Sequence, residues 1–194
     1  MSLQNSAPQT NLNARREEKM NSKQKKVRAK KISEKTMKLR HQLWPKIDPD
    51  LLWNRKESDG FTTMPRPMPH ILRIIDSLDG KGEPVSRVYL SLWFRVFDES
   101  LVTIQNEKEM AFEAGFSGQR AVTMWHSRMR SLAKLGFIEA KPGSSGEYNY
   151  VLIFNPYLVI KKLEKAKKIS DPLLYNALFA RAQDVGANDL EEGN

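Results

Sequence analysis

The chain has no cysteine. That removes disulfides, thiolate metal sites and cysteine nucleophiles together. Histidine is scarce too: His41, His70 and His126 stand far apart, so a metal centre would have to rest on carboxylates, and none is expected. No stretch approaches the ~20 consecutive apolar residues of a membrane span. Arg15 and Arg16 are not followed by the apolar segment of a secretory signal. These gaps predict a soluble, cytoplasmic protein with no membrane among its partners. No Gly-rich phosphate loop, paired-histidine metal motif or nucleophile elbow occurs, so neither a cofactor nor an enzymatic activity is expected. Glu109 and Glu113, four residues apart, read as a solvated pair.

Acidic residues are nearly missing from one region only. Residues 1–40 hold twelve Lys and Arg against Glu17, Glu18 and Glu34, an excess of nine. The remaining residues hold twenty of each sign, so the net charge of +9 lies wholly in the tail. A segment of this kind attracts polyanions, nucleic acid or acidic lipid headgroups. Lys23, Lys25, Lys26, Arg28, Lys30 and Lys31 form its densest cluster.

At 194 residues the chain has room for one domain plus extensions. Residues 1–22, rich in Asn, Gln, Ser and Ala, are expected to be disordered, and 23–40 to be mobile without a clean amphipathic stripe. Together 1–40 form a disordered basic tail. Residues 41–69 carry Trp44, Trp53 and five prolines. They predict an extended arm whose tryptophans pack onto the domain, with a short helix from Asp48-Pro49 to near Lys56. Helical spacing then runs from His70 to Leu78, stopped by Asp79-Gly80-Lys81-Gly82. A second helix over 86–98 is apolar almost all round, which predicts a central, buried position. Leu101 to Ile104 is a strand candidate.

The most informative stretch is Asn106 to Phe116. Ala111 offers the small residue that a close helix crossing requires, and Gly115 can take the left-handed conformation that ends a helix in a tight turn. A bulky residue at Ala111 or a Cβ at Gly115 would push the two helices apart. Met110, Ala114 and Phe116 then point into a shared core. Ser117-Gly118-Gln119 opens the next helix, through about Leu135. At 100° per residue, Ala121, Val122, Trp125, Met129, Leu132 and Leu135 share one side. Gln119, Arg120, Thr123, His126, Ser127, Arg130 and Lys134 share the other, which has no carboxylate, as a phosphate-facing helix requires. Arg128 falls on the apolar side, where it can snorkel or pair with an acid such as Glu139. Gly136 caps the helix. A strand, a flexible turn over Pro142 to Gly146 and a returning strand over Glu147 to Phe154 follow.

In this order of elements, residues 70–155 resemble the winged helix-turn-helix superfamily of DNA-binding domains. The resemblance rests on Ala111 with Gly115 and on the Leu132, Leu135, Gly136, Phe137, Ile138 run. Ala121 departs from it, since such motifs commonly carry a larger branched residue there. The expected fold is mostly α with a small antiparallel β-wing, a winged helix-turn-helix with a basic tail and C-terminal helices over 156–194. Of these, a helix over Tyr157 to Lys168 precedes one opened by Asp171-Pro172. The second helix carries Leu173, Leu174, Ala177, Leu178, Ala182 and Val185 on one face, either docking on the domain or forming a homodimer.

The resemblance implies sequence-specific double-stranded DNA binding by a transcriptional regulator, nucleoid-associated in the cytoplasm. Gln119, Arg120, Thr123 and His126 would read bases, Gln suiting adenine and Arg guanine. Ser117, Ser127, Arg130, Lys134, Lys141, Ser144 and Ser145 would hold phosphates. The same build serves plasmid replication or partition proteins. An RNA-binding or protein-interaction role stays open, because a fold does not dictate a function.

Overall fold

The computed structural model describes residues 27, 30–79, 84–96 and 99–191. It divides the chain into two compact units, residues 1–58 and 59–194. Among tail positions, Lys23, Lys25, Lys26 and Arg28 lie outside the described residues, as do residues 1–22.

In the first unit, residues 30–43 form helix α1. The segment expected to be mobile through Arg40 is thus helical from residue 30 on. The stretch is built largely of good helix formers, without Gly or Pro until Pro45, and the helix stops just before that proline, as the restricted residue preceding a proline requires. Lys30 and Lys31 are exposed on it. Asp48 then caps a single 3-10 turn, Pro49–Leu51, its side chain accepting from Asp50 N at 3.0 Å. The helix expected to reach Lys56 ends there, because Leu52 turns extended and Asn54 nucleates a separate turn by accepting from Lys56 N. Trp44 and Trp53 are 57% and 68% exposed.

The second unit opens with α2 (Met68–Asp79), which buries Met68, Ile71, Ile74 and Ile75. Residues 80–83, expected to stop it, lie outside the described residues. Asp76 reaches forward from α2 to the start of α3 (Ser86–Arg95). Its carboxylate accepts from Val85 N and Ser86 N, both at 2.8 Å, and from Ser86 Oγ at 2.7 Å. That supplies the cap that Val85, the residue at the cap position, cannot. The expected all-round burial of this helix is corrected: Val88, Tyr89 and Leu92 face inward, but Phe94 is 60% exposed. The helix ends at Arg95, and Phe97 and Asp98 lie outside the described residues.

Strand β1 (Leu101–Thr103) leads to α4 (Glu107–Glu113) and α5 (Ala121–Leu135). A hairpin of β2 (Ile138–Gly143) and β3 (Gly146–Ile153) follows. The sheet is antiparallel with order β1-β3-β2, so β3 is its centre, and Val151 stands opposite both Val102 and Ala140. The expected turn over 142–146 is tighter than predicted. Pro142 and Gly143 belong to β2, with a register irregularity between Lys141 and Gly143 that lets an edge strand carry a proline.

Helices α6 (Pro156–Lys165) and α7 (Pro172–Val185) complete this unit, capped by Asn155 and Asp171. Helix α7 docks against α2. Leu178 and Ala182 are buried, while Leu173 at the end of the predicted stripe is exposed. The core thus joins all the helices of this unit to the inner sheet face, with Tyr89 and Phe137 in an edge contact at 5.5 Å. Among the described residues, no helix is long and apolar enough to cross a membrane.

Candidate nucleic-acid interface

The local geometry around α4 and α5 follows from two glycines and one small residue. Asn106 caps α4, its Oδ1 accepting from Lys108 N and Glu109 N at 3.1 and 3.3 Å. Ala111 is fully buried where α4 meets α5. Gly115 takes φ +85°, and the turn closes through Gly115 N to Phe112 O and Phe116 N to Ala111 O, both 2.9 Å. The reason Gly115 is needed differs from the steric one expected. A Cβ there would meet only Arg87 Nη1, at an ordinary 3.5 Å, so its backbone conformation makes the demand rather than helix spacing.

Helix α5 starts two residues later than predicted, with Arg120 at its cap position. Ser117, Gln119 and Arg120 consequently lie on the exposed loop before it, which turns at Gly118 with φ +78°. Thr123, Arg130 and Lys134 are exposed along the helix, Ser127 is half-buried, and Met124 joins the exposed side unpredicted. Trp125, Met129 and Leu132 are buried as the projection required, and so is Arg128, whose guanidinium donates to Ser127 Oγ at 3.4 Å. Gly136 ends the helix at φ +84°. From Arg120 to Lys134 the helix rises about 21 Å at 1.5 Å per residue. The predicted residues therefore form two groups, one around the loop and first turn, another toward the C-terminal end.

His126 does not belong with the exposed group. Its Nε2 lies 2.9 Å from Glu107 Oε2 at the start of α4, and its ring makes an edge contact with Tyr148 at 5.1 Å. These contacts make His126 a strut between α4, α5 and β3. Glu107 also lies close to the hairpin, where a Cβ at Gly146 would come within 2.6 Å of its Oε1. Burial first, and then the carboxylate of Glu147, raise the pKa of the Tyr148 hydroxyl, while Arg130 opposes them. The face that carries no acid along α5 is thus approached by two carboxylates from other elements. Nothing in the sequence signals the Glu107–His126 pair, whose members are nineteen residues apart.

At the hairpin tip, Lys141, Ser144 and Ser145 come together at one end of β2 and β3, Lys141 and Ser144 exposed. Lys141 bonds Glu139 at 2.9 Å, which raises its pKa, and both side chains remain mostly exposed. Such a pair holds weakly in water and leaves the ammonium able to exchange partners. Glu109 and Glu113 are not the simple solvated pair expected. Both grip Arg95 of α3: Nη2 donates to Glu109 Oε1 at 2.5 Å, and Nε to Glu113 Oε2 at 3.1 Å. The two carboxylates raise the pKa of Arg95, Glu113 contributing more. Among the described residues, no cluster of three or more His, Asp or Glu side chains is placed to hold a metal ion.

No protein-family model, no curated protein and no solved structure matches this chain.

Proposed function

We propose that residues 70–155 are a winged helix-turn-helix that binds double-stranded DNA sequence-specifically, as a transcriptional regulator does. The observation that carries this reading is the order and exposure of α4, the Gly115 turn and α5. A buried apolar side seats α5, Gln119, Arg120, Thr123 and Arg130 are exposed, and the same unit carries a hairpin with exposed Lys141 and Ser144 near its tip. In this reading the loop and first turn of α5 enter the major groove. Gln119 and Arg120 meet base edges there, and the methyl groups of Thr123 and Met124 suit thymine. Arg130, Ser144, Ser145 and Lys141 hold phosphates, which position the protein without reading sequence.

Selection of bound sequences from a random duplex pool tests the proposal. It predicts an enriched site, and for Arg120→Ala a loss of ~1–3 kcal/mol confined to one position of that site. A pool that enriches nothing, or an Arg120→Ala protein with unaltered preference, would overturn sequence-specific reading by this helix. A protein-interaction module is the second reading. It draws on Phe94 and Phe112, large apolar side chains exposed on α3 and α4, and predicts no enrichment in the same selection.

A further inference from the structure

Helix α1 presents an exposed apolar stripe. Ile32, Thr36, Leu39 and Leu43 stand at i, i+4, i+7 and i+11, and at 100° per residue they fall within about 60° of arc. All four are exposed. Thr36 fits the apolar character, because its hydroxyl donates to Ile32 O at 3.0 Å and leaves its methyl outward. Charge is arranged around the stripe with the same order. Lys35, exposed, borders it on one side and Arg40, half-buried, on the other, each about 40° away. Glu34, the only carboxylate of 30–43, lies on the pole opposite Leu43. Beyond the helix, Trp44, Ile47, Leu51 and Trp53 continue the run of exposed large apolar residues.

We infer that α1 lies along an anionic bilayer surface, with the stripe in the acyl boundary and its bordering cations among the headgroups. Apolar side chains flanked on both sides by Lys and Arg, with the acid turned away and tryptophan at the end, are what that interface selects. Duplex DNA rewards the lysines but offers nothing to Ile32, Leu39 and Leu43. A second copy would set Lys35 and Arg40 against their own counterparts, and the stripe is shorter than the three to four heptads that sustain a coiled coil. A helix resting on a bilayer needs no spanning segment, so this inference is compatible with the absence of one among the described residues. It stands independently of the DNA reading.

The test is co-sedimentation of the full chain with vesicles of phosphatidylcholine, alone or mixed three to one with phosphatidylglycerol. Binding is expected to the mixed vesicles and to fall with salt. Leu39→Asp with Leu43→Asp should weaken it at least tenfold. Lys31→Gln, Lys35→Gln and Lys38→Gln together should weaken it roughly a hundredfold, about fivefold per charge. Thr36→Val should preserve or strengthen it. The stripe is exposed, so these variants should retain the unfolding transition of the parent chain, which circular dichroism follows. Equal binding to both vesicle types, or full binding by the Leu39/Leu43 variant, would overturn the inference. So would a lipid-free parent that is a dimer and becomes a monomer in the Leu39/Leu43 variant, or a Leu39/Leu43 variant that loses duplex DNA as strongly as it loses vesicles.

Discussion

Gly115 and Gly143 show how differently two glycines can constrain one protein. At Gly115 the demand is conformational, and an added Cβ finds space. Gly115→Ala should therefore cost only the left-handed penalty, about 1–2 kcal/mol. At Gly143 a Cβ would stand 2.0 Å from Asn149 Oδ1 and 2.7 Å from its Cγ. Asn149 cannot step aside freely, since it is buried and its Nδ2 donates to Ile104 O at 2.8 Å. Gly143→Ala must break that bond, leaving a buried carbonyl short of a partner at ~1–3 kcal/mol, and disturb β3 as well. Urea unfolding should rank Gly143→Ala as the more damaging change; equal midpoints would show that Asn149 yields easily. The same logic applies to His126. If it is a strut, His126→Ala should lower stability by ~1–3 kcal/mol by leaving Glu107 without its hydrogen bond. A double-mutant cycle with Glu107→Ala should show coupling of ~0.5–3 kcal/mol. Base preference in the selected site should stay as it was. A variant of parental stability that misreads one base pair would restore His126 to the reading face.

Among the elements, α7 separates docking from dimerisation. Leu178 is fully buried against the unit that includes α2, while Leu173 is 73% exposed on the same helix. Leu178→Ala should cost ~2–5 kcal/mol, the range for emptying a core leucine site, and Leu173→Ala almost nothing. Thermal unfolding at two protein concentrations checks this, because a dimer interface would make the transition concentration-dependent. Elements of this kind were legible in the sequence wherever a cap met a clean period. Asp171-Pro172 placed the start of α7 and Gly136 the end of α5, since capping is a local matter. What sequence reading missed depends on partners far along the chain. Asp76 capping α3, Glu107 holding His126 and the two carboxylates on Arg95 all cross between elements. The exposure of Phe94 is not legible in the sequence, because a single-helix projection of an aromatic-rich segment cannot tell which side its neighbours will leave uncovered. The amphipathic order of α1 is hidden in the sequence for a related reason. Thr36 counts as polar in a hydropathy pattern until its hydroxyl is seen bonded to the helix.

At the scale of the whole chain, charge is divided as sharply as structure. Residues 59–194 hold seventeen cations and seventeen anions, and the excess of nine belongs to the first unit. A neutral domain gains little from long-range attraction to DNA, so under the proposed function sequence discrimination and electrostatic attraction would fall to different parts of the chain. Counterion release makes this measurable, since each neutralised phosphate contributes about −0.9 to the slope of log K against log salt. If half of the excess engages phosphate, the tail supplies a slope near −4. Replacing the twelve Lys and Arg of residues 1–40 by Gln should therefore flatten the salt dependence by about four. Affinity should fall most at low salt, and the preferred site should not change. The opposite result, an unchanged slope with lost preference, would move recognition into the basic segment. Unit 2 would then contribute phosphate contacts alone, and Arg120 and Thr123 would cease to be readers.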